Sequence, residues 1–437
     1  MLSELSPITA GFIGIAIFFI LMAAGMPVGF SMAIVGFAGF AYLVSLDGAF
    51  AKIGYVPFRT ISNYDFAVVP LFMFMAHIVF SVGLGKDLYD FVSKWLGWLP
   101  GGLAIATVGA CAIFAAVSAS SIATAVTLGL VALPEMKKYN YDPKLSTAAV
   151  AAGGTMGVLI PPSAALILYG ILTEESIGKL FMAGIIPGIL EAVFYIILIL
   201  ILCRFNPRLG PRGPQTSFRE KMAAFGKVGE IVGLIALVLG GIFIGWFTPT
   251  EAGAVGAFGA VLFSLLRKRL NWKSFKDACI NTAEAVGMIY ALMIGAFILN
   301  YFMAVTTIPF ELANIASGLP LPPMGIMGFI ILVYLMLGCV ISGLAMVLLT
   351  IPVFFPLVLA MGFDPIWFGI IIVRVMEIAA ITPPVGINVY AISGVAKDVP
   401  MSTIFKGVLP FVLADILHVI MLLFFPQVTL WLPTLMK

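Results

Sequence analysis

Four short stretches of this sequence place hydroxyls, glycines and paired prolines inside otherwise apolar runs. They are Ser118-Ala119-Ser120-Ser121-Ile122-Ala123-Thr124, Gly157-Val158-Leu159-Ile160-Pro161-Pro162-Ser163, Ile341-Ser342-Gly343-Leu344, and Ala379 through Thr382-Pro383-Pro384-Val385-Gly386-Ile387-Asn388. Proline removes an amide donor and clashes with the preceding helical turn, which frees carbonyl oxygens upstream. Freed carbonyls and hydroxyls are neutral oxygen donors, a set that suits a hard monovalent cation such as sodium. A half-helix starting at such a break aims backbone N–H groups and partial positive charge inward, which suits a carboxylate. Ser120, Thr124, Ser163 and Asn388 are the candidate substrate-binding side chains at these places. One break alone is explained equally well by a kinked helix with hydroxyls gluing neighbours together. Four breaks in a repeated pattern are not.

Arg374 and Glu377 stand i,i+3 on the apolar run that leads into Thr382-Pro383-Pro384. Counted from Asp364-Pro365 at about 1.5 Å per residue, Arg374 is ~14 Å deep. Ionisable groups at such depth are expensive unless paired. Two readings stay open: a structural ion pair between Arg374 and Glu377, or an Arg374 that also binds an anionic substrate, because a guanidinium matches a carboxylate. Glu191, Glu284, Asp415, His418 and His77 are expected in packing or subunit contacts.

The elements that must position these groups follow from composition. Of 437 residues, 62% are hydrophobic and 10% charged, with a mean hydropathy of +1.16. A soluble domain carries roughly a quarter charged residues, so the chain belongs in lipid. The net charge of +3 does not point to nucleic acid, because the basic residues flank apolar runs. The four cysteines are scattered and frame neither a metal site nor a disulfide pattern. Met1 to Thr9 lacks the positive segment of a cleaved signal, so the first apolar run is expected to be retained.

Apolar runs predict full spans near 8–23, 28–46, 66–83, 180–203, 229–247, 250–266, 282–304 and 407–432. Residues 103–135 and 324–360 are too long for one crossing and read as re-entrant hairpins; 145–173 and 366–395 read as crossings broken at Pro-Pro. Two short amphipathic stretches, 86–98 and 308–318, would lie along the interface. With Met1 outward and both long runs entering and leaving on one side, 18 of the 23 basic residues fall inside, as the positive-inside rule asks. Both termini are then periplasmic.

A shift of 222 residues superposes the halves: Pro27 on Pro249, Ser120 on Ser342, Pro134 on Pro356, Asp142-Pro143 on Asp364-Pro365, and Pro161-Pro162 on Pro383-Pro384. The hairpins then enter from opposite faces, so the repeats are inverted. The expected fold is an all-α polytopic membrane protein of two inverted repeats, each with a hairpin and a broken helix, an arrangement by which many secondary transporters make one midplane site reachable from either side. The first repeat covers 1–203, a basic cytoplasmic linker 204–228, and the second repeat 229–437. No G-x-x-x-x-G-K-[ST] loop and no H-E-x-x-H motif is present, so ATP hydrolysis and zinc proteolysis have no support and the chain is not expected to be an enzyme.

The chain resembles the large membrane subunit of tripartite ATP-independent periplasmic (TRAP) transporters over essentially its whole length. The resemblance rests on Ser118-Ala119-Ser120-Ser121-x-x-Thr124-Ala125, on Gly153-Gly154-Thr155-x-Gly157-x-Leu159-Ile160-Pro161-Pro162-Ser163, on Asp364-Pro365, and on Met376-Glu377-Ile378-x-x-Ile381-Thr382-Pro383-Pro384-Val385-Gly386-x-Asn388. It implies sodium-driven, elevator-type import of an organic acid such as sialic acid, a sugar acid or a C4-dicarboxylate, across the bacterial inner membrane, with sodium ions and no organic cofactor. It implies two partners: a small four-helix membrane subunit, here expected as a separate chain, and a periplasmic substrate-binding protein. Carried over, the sodium ligands come from Ser118, Ser121, Gly157, Ile160 and Pro162, and from Ser342, Gly343, Ala379, Thr382 and Gly386. Ala379 departs from the family's usual glycine, though its backbone carbonyl remains. A stand-alone sodium/carboxylate symporter of related fold, and a non-transporting membrane scaffold, are the competing expectations.

Overall fold

The computed structural model describes residues 5–318 and 321–436; the termini placed outward, Met1 and Lys437, lie outside that range. The described residues form helices and connecting turns. A peripheral set opens the chain: α1 (Pro7–Ala23), α2 (Val28–Leu43), α3 (Leu46–Ser62) and α4 (Val68–Ser81), then the amphipathic α5 (Leu84–Leu96). The first hairpin is α6 (Gly102–Ser118) and α7 (Ser121–Lys138), and the first broken crossing is α8 (Pro143–Leu159) and α9 (Ala164–Thr173), followed by α10 (Ile177–Phe205). The second half repeats this order with α11 (Phe218–Phe243), α12 (Pro249–Leu266), α13 (Trp272–Thr306), α14 (Ile308–Gly318), α15 (Pro323–Gly338), α16 (Gly343–Ala360), α17 (Pro365–Ile381), α18 (Ile387–Val395), α19 (Met401–Phe424) and α20 (Gln427–Thr434). Among the described residues, eight helical segments are long and apolar enough to cross a membrane.

Helix starts explain much of the sequence repeat. Asp142 and Asp364 are N-caps, accepting from Lys144 N at 2.8 Å and Trp367 N at 2.9 Å, and the proline after each fills the first helical position, where its missing N–H costs nothing. The same shift of 222 carries α7 onto α16 and α8 onto α17, end to end.

The inversion is visible in which ends meet. The turn after α10 is pinned to the base of the first hairpin: Gly101 N donates to Gly210 O at 2.9 Å, Tyr141 Oη to Pro211 O at 2.7 Å, and Asp142 N to Leu209 O at 3.0 Å. Lys137, at the end of α7, pairs with Asp398 before α19, and that ammonium holds the Asp398 carboxyl below its ordinary range. These segments therefore share one side. On the other side, Tyr169 Oη in α9 donates to Pro365 O at 2.5 Å, so α17 starts where the first broken crossing ends. The two broken crossings run antiparallel.

The core is the hairpins and broken helices themselves. Every residue of α8 from Leu145 to Leu159 is buried, and α17 is buried from Ile366 to Ala379. The small residues Ala148, Ala149, Ala151, Ala152, Gly153 and Gly154 let α8 pack against α6, α7, α17 and α19. Around this core, α13 packs on α2 and α4, and α12 on α4 and α11.

Several boundaries differ from the sequence reading. The span expected at 407–432 is two helices, because Pro426 cannot continue the ladder after Phe424. The helix α3 was not anticipated: with Asp47, Lys52, Arg59 and Pro57 in 17 residues it is too polar to read as a span. The span 282–304 is the C-terminal two-thirds of a 35-residue helix, Trp272–Thr306. The stretch read as the linker is coil only over 206–217, since α11 starts at Phe218 behind a Ser217/Glu220 capping box.

Candidate cargo and ion site at the hairpin tips

The first tip turns at Ala119, whose φ of 52° is left-handed, a conformation that non-glycine residues adopt at a cost. Ser120 is extended and caps α7, accepting from Ala123 N at 3.3 Å. Ser118 Oγ lies 2.5 Å from Thr124 Oγ1, which donates to Ser120 O at 2.9 Å. Each hydroxyl spends its proton inside the tip and keeps oxygen lone pairs free.

Behind the tip, α8 stops at Leu159 and the chain bends through Ile160-Pro161-Pro162 to Ser163, which caps α9 by accepting from Leu166 N at 3.3 Å. A Cβ added at Gly157 would stand 2.6 Å from both Ser120 O and Thr124 Oγ1. Glycine is what lets the break and the tip touch. Both Pro-Pro bonds, Pro161-Pro162 and Pro383-Pro384, are cis.

The second tip, Cys339 to Ser342, precedes α16, and a Cβ at Gly343 would press into the Met376 side chain. Thr382 Oγ1 donates to Ile378 O at 2.6 Å, and Gly386 starts α18 with a left-handed φ of 60°. Ala379 is accommodated because the facing hairpin residue is Gly338: a Cβ there would run into the Ala379 methyl.

A cavity of about 530 Å³ lies where the tips meet. One wall carries Ser118, Ser120, Ser121, Ser342, Gly343, Glu377 and Asn388; the other is formed by α4 and α13, with Met73, Ala76, Phe80, Met288, Ile289 and Leu292. On that second wall His77 Nδ1 is 3.0 Å from Thr282 Oγ1. Thr282 donates its own hydroxyl to Ala278 O at 2.6 Å, so His77 is the donor. A second cavity, about 770 Å³, lies at the α9–α10 turn and α3, lined by Arg59, Asp65, Glu174 and Glu175.

The expected residues therefore divide. Ser118, Ser120, Ser121, Ser342, Gly343 and Asn388 face the 530 Å³ cavity. Thr124 and Ser163 are fully buried and do not line it. Gly157, Ile160 and Pro162 sit at the first break, and Ala379, Thr382 and Gly386 at the second, away from the cavity surface.

The Arg374–Glu377 pair expected from the sequence is not formed. Arg374 Nη1 is 3.2 Å from Glu191 Oε1, Nη2 pairs with Asp415, and Nε donates to His418 Nδ1 at 3.1 Å. Thr155 Oγ1 donates to the same Glu191 oxygen at 2.7 Å. An i,i+3 offset did not bring the two groups into contact: the guanidinium is directed at α10 and α19, and Glu377 at the cavity. Nor does Arg374 face a substrate there, being 0% exposed and absent from the cavity wall. The network around it was missed. Its signal was present in the sequence: Glu191, Asp415 and His418 also lie within apolar runs, and Arg374 is the one basic residue available deep in any span to compensate them.

The sequence matches the family described as "Tripartite ATP-independent periplasmic transporter, DctM component" over residues 15–428. It is 33% identical over 377 residues to the C4-dicarboxylate TRAP transporter large permease protein DctM of Pseudomonas aeruginosa, covering 86% of this chain and 88% of that protein. It is 31% identical over 420 residues to the sialic acid TRAP transporter large permease protein SiaM of Vibrio cholerae, covering 95% and 96%. Among solved structures, the Alcanivorax borkumensis YdaH transporter aligns with a TM-score of 0.56 at 16% identity, over 84% of this chain and 87% of that one, a likeness of fold alone. With the hairpins, the broken helices and these relatives together, the chain belongs to the large membrane subunits of tripartite ATP-independent periplasmic transporters.

Proposed function

We propose that this subunit imports an organic acid by sodium-coupled secondary transport, with the hairpins and broken helices moving as a unit against the peripheral helices. The observation that carries this reading is the two-faced 530 Å³ cavity. Its hydroxyls and helix N-termini all belong to the hairpins and broken helices, while the facing wall on α4 and α13 is mostly apolar. A cargo held from one side slides past the other without breaking polar contacts, which is what an elevator movement requires.

The N-termini of α7, α9, α16 and α18 point partial positive charge toward this region, suiting a carboxylate. Freed carbonyls and hydroxyls at each break suit sodium: Ser118, Ser121, Gly157, Ile160 and Pro162 in one half, Ser342, Gly343, Ala379, Thr382 and Gly386 in the other. In this reading the hydroxyls of Ser118 and Thr382 contribute lone pairs, since their protons point into the protein. Arg374 fixes the helix and takes no part in cargo binding. The relatives' names, C4-dicarboxylate and sialic acid, favour an organic acid.

The chain sits in the inner membrane beside a small membrane subunit, with the α9–α10 turn on the periplasmic side. The 770 Å³ cavity then faces the periplasm, where a binding protein delivers cargo. Reconstitution with those partners tests the reading. Uptake requires a sodium gradient, and Ser118→Ala, Ser121→Ala and Thr382→Ala abolish it while leaving insertion intact. Sodium-independent uptake, or full uptake by the purified chain alone, defeats the proposal.

A further inference from the structure

Two buried acceptors on the cavity wall have no partner. Glu377 is 3% exposed and its Oε2 accepts no hydrogen bond; Asn388 is 0% exposed and its Oδ1 accepts none, its amide nitrogen being directed at Ala151 O at 3.4 Å. Both residues line the same 530 Å³ cavity, together with Ser121. Among the described residues no lysine or arginine lines it, and His77, the one ionisable nitrogen on its wall, is engaged with Thr282 on the α4–α13 side. The nearby cation in sequence, Arg374, is turned away and held between Glu191 and Asp415. An ionised carboxylate buried without a counter-charge is strongly disfavoured, and so is an orphaned amide oxygen. The structure leaves the charge of this carboxylate to be balanced by a proton or a cation from outside the chain.

We infer that Glu377 and Asn388 form a charged binding site for one monovalent metal cation on the cargo side of the tips. This site is additional to the neutral-oxygen sets at the two breaks, and it rests on the sodium reading given above. The donor set selects the ion class. Among the described residues no group of three His, Cys, Asp or Glu side chains comes together, so a divalent ion lacks the carboxylates it demands. One carboxylate with neutral oxygens matches a single charge. The same oxygens refuse an anion, so the ion also screens Glu377 from a carboxylate cargo in the cavity. Filling the site thereby couples cation and cargo binding, each favouring the other by the same factor.

The test is equilibrium binding of ²²Na⁺ to the purified full-length chain in detergent. Wild type is compared with Glu377→Gln and Asn388→Asp. The inferred site predicts that Glu377→Gln binds one sodium ion fewer at saturation and elutes as wild type does on gel filtration. Asn388→Asp keeps the count and tightens one binding step. Should Glu377→Gln misfold, Asn388→Asp still decides, since an unchanged titration there overturns the inference. An unchanged ion count in Glu377→Gln overturns it as well, and means that a proton neutralises the carboxylate. If wild type binds no sodium at all, the wider sodium reading fails, which is a separate result.

Discussion

Arg374 Nη1 stands 3.2 Å from Glu191 Oε1, both side chains at 0% exposure, and this contact joins the two halves of the chain. Arg374 lies in the unbroken part of α17, Glu191 in α10, and Asp415 with His418 adds α19. The network locks the broken crossing of the second half to the long helices that follow each break.

Removing the guanidinium leaves two carboxylates buried without a cation. Arg374→Ala is expected to lose about 3–5 kcal/mol of stability, read as a lowered melting temperature in detergent. Arg374→Ala/Glu191→Gln is expected to lose less than the two single variants added together, because the second change relieves a charge that the first exposed. A normally stable Arg374→Ala with weakened anion affinity contradicts a structural role and restores the substrate-binding one.

Gly157→Ala places a methyl against Ser120 O and Thr124 Oγ1, at 2.6 Å in the present geometry. The tip must shift by several tenths of an ångström, enough to disturb an ion cradle. Sodium-dependent uptake is expected to fall by more than about tenfold, with membrane insertion retained. Gly394→Ala, where nothing lies within 4 Å, is the control and is expected to transport normally. Equal transport by the two variants would show that the first break does not depend on close contact with the tip.

The second break offers a compensating pair. Gly338→Ala drives its methyl into that of Ala379 and is expected to impair uptake, with overpacking costing about 1–3 kcal/mol. Ala379→Gly is expected to be tolerated, and Gly338→Ala/Ala379→Gly to recover most of the activity by exchanging which partner lacks the methyl. Failure of the double variant to improve on Gly338→Ala would mean that the contact is not what limits it.

Membrane residence, the repeat and the positions of the breaks were legible in the sequence because each follows from local chemistry. Lipid demands that every backbone polar group be paired, so Pro161-Pro162 and Pro383-Pro384 announce interruptions wherever they stand in an apolar run. Asp142-Pro143 and Asp364-Pro365 announce helix starts in the same way. The element boundaries at the hairpins accordingly fall within a few residues of those expected. Less legible was α3, whose mixed charges give no span, and the stop at Pro426, which one proline inside an apolar run did not make evident.

What only the tertiary structure decided is which side chain meets which. Arg374 and Glu377 share a helix and an i,i+3 offset, yet the guanidinium goes to Glu191 and Asp415 and the carboxylate to the cavity. Sequence spacing describes one helix at a time; partners on α10 and α19 become neighbours only when the halves pack. The same holds for Gly338, which makes room for Ala379 from another helix. Local physics on the chain sets where helices stop. The packing of separate helices sets what those stops can hold.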